Sequence, residues 1–275
     1  MDADSSRAVA PARVSDGVIP EQAQASMLDV LLSLTLADLR FRYGRGARRI
    51  LKWLLDPFAL VGVYLLLVTI VLKVGGRAPG LSLACAVVPF QLLMSTVINA
   101  MVAVTTRRTI ILNMAFNRLL IPISSVLTET VAFVASLTLI VLMMGIYGVA
   151  PTSAVGWFPL VLAANVFFAL GLAYPASLFG LWFRDLRNFG ISFVRTLFFL
   201  APGLVPLSQI PGGAHEWLRL NPLTGVFEAY RDVLLFGRPP AAWELLYPTG
   251  WACVLLVLFV PLYKHEQRQF AKVVE

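Results

Sequence analysis

Apolar residues run through this chain in blocks of about 20, the length a helix rising 1.5 Å per residue needs to cross the hydrocarbon of a bilayer. Between Glu129 and Arg184 no charged side chain occurs over 54 residues. No soluble domain could build an aqueous face from such a stretch. It is long enough for two crossings, and Gly148, Pro151, Gly156 and Pro159 break it near its middle. The same reading along the chain predicts six membrane helices, at 54–74, 81–105, 119–147, 157–183, 189–209 and 245–263. The third is longer than a perpendicular crossing requires and carries Pro122 near its start, which predicts a tilt or an extension into the cytoplasm. The predicted class is an all-α polytopic membrane protein.

The polar stretches differ from one another. Residues 1–26 contain Ala, Ser and Pro but no apolar core, so they predict a disordered cytoplasmic tail and not a cleaved signal peptide. In residues 27–52, Leu28, Leu31, Leu32, Leu36 and Leu39 recur at helical spacing and a basic run follows at 40–49. That pattern predicts an amphipathic helix on the inner leaflet with its arginines at anionic headgroups. A topogenic charge cluster has the same composition, and the two readings are compatible. Residues 53–275 form the transmembrane domain.

Within that domain, 201–244 is the least regular part. Pro202, Pro206 and Pro211 interrupt the end of the fifth apolar block, and Asn221-Pro222 then supplies an N-cap and a first-turn proline for a new helix. Its apolar stripe is Leu223, Val226, Phe227, Tyr230, Val233 and Leu234, with Glu228, Arg231 and Asp232 off it. A helix over 222–236 would be roughly 22 Å long, too short to cross. The expectation is a re-entrant or interfacial segment at the outer leaflet, and re-entrant backbone is tolerated only beside protein or a water-filled cavity.

Charge sets the orientation. The chain of 275 residues is 59% apolar and 13% charged, with a net charge of +7. Sixteen cations fall on one side of the predicted spans: Arg7, Arg13, Arg40, Arg42, Arg45, Arg48, Arg49, Lys52, Arg107, Arg108, Arg118, Arg184, Arg187, Lys264, Arg268 and Lys272. Five fall on the other: Lys73, Arg77, Arg219, Arg231 and Arg238. The positive-inside rule then puts both termini in the cytoplasm and the chain in the inner membrane as a multi-pass protein. Because the cations flank apolar spans, the positive balance does not point to nucleic acid. Cys85 and Cys253, both in apolar stretches, read as small buried hydrophobes.

Catalytic and metal-binding patterns do not occur in the sequence. HExxH and GxSxG are missing, and His215 and His265 lie in loops on opposite sides of the predicted membrane. Residues 75–82, GGRAPGLS, echo a phosphate-binding loop but lack its lysine and lie outside, away from ATP. The chain therefore carries no cofactor site of its own. Glu129 and Arg195 are the charges well inside predicted spans, at depths differing by roughly 6 Å, close enough to meet if their helices are neighbours. A proton relay would call for more acids or histidines than Glu129 alone supplies. Tyr147, Trp157, Trp217, Phe227, Tyr230, Trp243, Tyr247 and Trp251 gather toward the outer side. They read either as the interfacial aromatic belt or as faces for sugar rings.

Several local motifs appear in a fixed order. Asp38-Leu39-Arg40-Phe41-Arg42-Tyr43 precedes Trp53-Leu54-Leu55-Asp56-Pro57. Phe183-Arg184-Asp185-Leu186-Arg187 joins the fourth and fifth spans. Pro202-Gly203-Leu204-Val205-Pro206-Leu207-Ser208 precedes Leu220-Asn221-Pro222-Leu223-Thr224. From about residue 27 to the C-terminus this order resembles ABC-2 type transporter permeases of the polysaccharide and polyol-phosphate family, which export O-antigen, capsule and teichoic acid. The chain departs from the family pattern at Ala201-Pro202-Gly203, where Ser-Pro-Val is common, and in its arginine-rich stretch, where a Leu-Gly pair is common.

The resemblance implies a permease without enzymatic activity, working as a homodimer with two copies of a separate ATPase that binds ATP and Mg. It implies a coupling segment near 107–118, with Arg40, Arg42, Arg107, Arg108, Arg118, Arg184 and Asp185 on the ATPase side. Spans one and five would line a channel for a lipid-linked glycan, and Arg195, Glu129, Tyr147, Trp157, Phe227 and Tyr230 are the candidate pathway residues. An ABC-2 exporter of drugs or small amphiphiles is the nearest alternative. A membrane-embedded transferase would need acids or histidines converging at one membrane face, and the sequence has none. The intramembrane charges and the re-entrant segment argue against a non-transporting scaffold.

Overall fold

The computed structural model describes residues 27–43, 48–71, 73, 76, 78–107, 111, 116–183, 185–210 and 212–267, so the expected N-terminal tail, Arg108 and Arg184 lie outside the described residues. The described residues contain no strand. The helices are α1 (Met27–Tyr43), α2 (Arg48–Leu66, extended by a π turn Leu67–Val71), α3 (Pro79–Thr106), α4 (Leu120–Ile146) and α5 (Phe158–Trp182). They continue with α6 (Arg187–Thr196), α7 (Gly212–Arg219), α8 (Pro222–Arg231, extended by a π turn Asp232–Phe236) and α9 (Ala242–Glu266).

Four helices among the described residues are long and apolar enough to cross a membrane: α3, α4, α5 together with the 3-10 turn before it, and α9. They fall on the second, third, fourth and sixth predicted spans. α2 begins at Arg48, ahead of the predicted 54, and its apolar part is shorter, Pro57–Ile70.

The fifth predicted span differs most. Helix α6 stops at Thr196, hydrogen-bonded turns continue to Ala201, and irregular backbone follows. The cause is local. Pro202 and Pro206 bring no N–H to a helical ladder, and each drives the residue before it, Ala201 and Val205, away from the helical region.

Helix α3 is central, packing against α2, α4, α5 and α8, and every residue from Gly80 to Phe90 along it is buried. Pro79 opens it, following Ala78 at φ 50°, and the Gly80 N–H donates to the Tyr147 hydroxyl at 3.2 Å. Association in lipid is driven by close packing, since lipid tails are as apolar as leucine. Small residues on α5 provide that packing: Ala169, Ala173 and Ser177 repeat every fourth position and are buried. A Cβ at Gly180 would stand 1.9 Å from the Met101 carbonyl oxygen, and one at Gly171 would stand 2.7 Å from the Ala252 Cα. Backbone therefore meets backbone where α5 crosses α3 and α9. On α4 the Ser124, Thr128 and Ser136 hydroxyls donate to carbonyls one turn back, at 2.9, 2.8 and 3.1 Å, which satisfies them inside an apolar bundle.

Candidate functional site

One end of the bundle is built on α8. Asn221 caps it, its side-chain oxygen accepting from the Leu223 N–H at 3.0 Å while its Nδ2 donates to the Leu200 carbonyl at 3.2 Å. The apolar stripe expected from sequence is buried. So are Glu228, Arg231 and Asp232, expected off the stripe, at 6%, 0% and 3% exposure. Their burial is tolerable because protein groups meet them. Arg231 donates to the carbonyls of Ser82 (3.3 Å), Pro202 (2.7 Å) and Gly203 (2.9 Å) and to Glu228 Oε1 (2.7 Å). The same Glu228 oxygen accepts the Leu207 N–H at 3.0 Å.

This pair substitutes for the missing helix. Where the fifth span unwinds, backbone groups at 202–207 lose helical partners, and a free carbonyl in an apolar bundle is costly. Arg231 and Glu228 supply those partners from α8 and also reach the start of α3. One buried ion pair therefore joins three separate pieces of chain.

Beneath it, aromatic rings tie the same elements together. Tyr64 on α2 stacks on Phe198 with ring centres 5.2 Å apart, and Phe198 in turn contacts Phe90 and Phe227. Next to this cluster lies a cavity of about 660 Å³ between α2, α3 and α6. Arg195 lines it, together with Tyr64, Gln91, Phe198 and Phe199. Arg195 makes no hydrogen bond or ion pair with another described residue. The walls thus offer an unpaired cation and aromatic faces. A ligand carrying an anionic group beside ring faces meets both.

The opposite end, where α3 finishes, has its own polar cluster. Arg107 closes α3, is 6% exposed, and forms an ion pair with Asp38 of α1. Its Nη1 also donates to the Ile121 carbonyl in the first turn of α4 at 3.3 Å. Arg118 donates to the Gln267 carbonyl just past α9. Glu129 accepts from Asn99 Nδ2 and lines a polar cavity of about 180 Å³ with Asp38, Asn99, Arg107 and Thr128. Glu129 and Arg195 line different cavities, and the structure does not bring them together.

The other candidates are distributed as follows. Phe227 and Tyr230 are fully enclosed in the single chain, Tyr230 meeting Phe133 and Phe158 edge to face and accepting from Asn165 at 3.4 Å. Tyr147 caps α3, and Trp157 is 46% exposed at the outer end of α5. Arg40 is exposed on α1, Arg42 stands in its last turn, and Asp185 is exposed in the turn before α6. Arg187, beside it, donates to the Gly180 carbonyl at 3.3 Å. Sequence reasoning missed Gln91 as a neighbour of Arg195 in the cavity wall, and Asn99 and Asp38 as partners. A search of the apolar blocks for amides as well as charges would have found the first two.

No protein-family model matches the chain. Among curated proteins, it is similar to the O-antigen export system permease protein RfbA of Myxococcus xanthus, 28% identical over 245 residues, 88% of this chain and 94% of that protein. Two proteins of the same name from Klebsiella pneumoniae are 26% and 24% identical over 249 residues, 90% of this chain and 95% of each of them. The likeness to polysaccharide-export permeases read from the local motifs thus extends over nearly the whole length of the chain.

Proposed function

We propose that this chain, similar to O-antigen export permeases over 88% to 90% of its length, is the membrane subunit of an ATP-driven exporter of a lipid-linked O-antigen-type polysaccharide. The observation that carries the reading is Arg195. An intramembrane cation that faced lipid would be costly, so its exposed face in the single chain must meet protein or an aqueous cavity. Phe199, more than half exposed, lines the same cavity, and so does Val63 of α2, which is comparably exposed. A second copy opposite this face would enclose a passage in which Arg195 meets the phosphate of the lipid carrier and the rings meet sugars.

In this reading α2 and α6 complete six crossings with both termini cytoplasmic, and the segment 201–244 is re-entrant at the outer leaflet. A separate ATPase docks at the cytoplasmic face, two copies to a permease homodimer, and binds the ATP and Mg. Phe227 and Tyr230 form the wall behind the passage, and Trp157 stands near its mouth. The names of the relatives favour a glycan over a drug or small amphiphile.

The test is depletion of the chain in its host. Surface polysaccharide should fall and lipid-linked polymer should accumulate inside, with recovery on expressing the wild type but not Arg195→Glu. Unchanged surface glycan with no internal accumulation would refute the proposal.

A further inference from the structure

Arg107 and Arg118, at the two ends of the 107–118 loop, both bond to the subunit's own groups. Arg107, 6% exposed, is spent on Asp38 of α1 and on the Ile121 carbonyl of α4. Ile111, next along the loop, donates its N–H to the Arg107 carbonyl at 3.0 Å and is buried with Tyr174, Leu178 and Tyr263. At the far end Arg118 holds the Gln267 carbonyl beyond α9, and the Tyr174 hydroxyl donates to the neighbouring Leu119 carbonyl at 3.2 Å. Both ends of the loop are tied to other elements, and by different arginines.

We propose that Arg107 and Arg118 are internal anchors of this loop and not contacts to a second polypeptide. Arg107 makes α1 and the start of α4 follow the loop; Arg118 makes the cytoplasmic end of α9 follow it. A displacement of the loop therefore reaches both flanks of the subunit together. The ion pair has room to act as a pivot, because Asp38 and Arg107 edge the polar cavity of about 180 Å³. An ammonium in place of the guanidinium could hold Asp38 or the Ile121 carbonyl but not both at once, since the two contacts use the two ends of a planar fork. The consequence for transport rests on the export reading above; the anchoring itself does not.

The experiment uses the full permease co-expressed with its ATPase. Arg107→Asp should leave the ATPase co-purifying at wild-type ratio and ATP hydrolysis within about twofold, while export falls at least tenfold. Arg107→Lys should give an intermediate loss. The swap Asp38→Arg with Arg107→Asp should restore at least half of export. Loss of co-purification in the Arg107 variant would make it a docking residue and overturn the proposal, as would a swap without rescue in protein that reaches the membrane in normal amount. Independently of export, Asp38→Cys with Arg107→Cys in a Cys85→Ala, Cys253→Ala background should cross-link with a short bis-maleimide in intact membranes. No cross-link defeats the anchor. A cross-link in a wild-type complex that exports nothing defeats the export reading alone.

Discussion

Replacing Arg231 by Met tests the most consequential interaction in the structure. The substitution keeps much of the side-chain volume and removes donors to three carbonyls and one carboxylate. Left unpartnered in a buried site, each such group costs about 1–3 kcal/mol, and breaking a buried ion pair from one side costs about 3–5 kcal/mol. One effect reduces the total: hydrogen bonds within membranes average only about 0.6 kcal/mol because the unfolded chain also finds partners. The expected loss is therefore about 3–5 kcal/mol and not the sum of four separate penalties. Adding Glu228→Leu removes the stranded charge but still leaves the Leu207 N–H and the carbonyls unmet, so it should recover only about 1–2 kcal/mol. Denaturant or SDS titration of the purified protein, followed by tryptophan fluorescence, gives the order wild type, double variant, single variant. A second readout locates the damage. Leu207 is 4% exposed, so Leu207→Cys in a background without other cysteines should resist maleimide in the wild type and label readily with Arg231→Met. A single variant within about 0.5 kcal/mol of wild type, with Leu207→Cys still protected, would show that the pair does not hold this segment.

Three further outcomes follow from packing and from the cavity. Gly180→Ala should cost at least about 1–3 kcal/mol, because the new methyl would overlap the Met101 carbonyl and push α5 off α3; size-exclusion and thermal unfolding in detergent measure it. Asn221→Ala should lose about 1 kcal/mol through the cap of α8, and normal stability would contradict the capping geometry. Arg195→Ala should leave stability within about 0.5 kcal/mol, since the side chain is exposed and unpartnered among the described residues, yet reduce export at least tenfold. Equal losses of stability and export would assign Arg195 to structure and not to the passage.

Much of the helical plan was legible because α3, α4, α5 and α9 each bring nearly unbroken apolar sequence between polar turns. The boundaries agree within a few residues. α6 was not legible in the same way. Residues 189–209 are as apolar as a span, and composition cannot distinguish a helix from unwound backbone whose hydrogen bonds are met from elsewhere. The prolines at 202 and 206 were the available signal, but the group that makes unwinding tolerable, Arg231, lies 29 residues beyond Pro202. Arg231 and Glu228 read as the polar face of a surface helix because helical periodicity reports a face and not what lies against it. The Asp38–Arg107 pair spans 69 residues and no local pattern could join them. Arg195 was found because a lone charge in an apolar block stands out, whereas its neutral neighbour Gln91 did not.

Arg231 grips the unwound segment through main-chain oxygens, and a carbonyl is the same whatever side chain stands beside it. Residues 202–206 are thus held by an attachment largely blind to their identity. Gly203 is the exception, since a Cβ there would press to within 2.7 Å of the Phe198 ring. A lineage could rewrite Leu204 or Val205 without retuning the fastening. The fastening rests on the carbonyls of Pro202 and Gly203, so the side chains at 204 and 205 can drift while it stays constant.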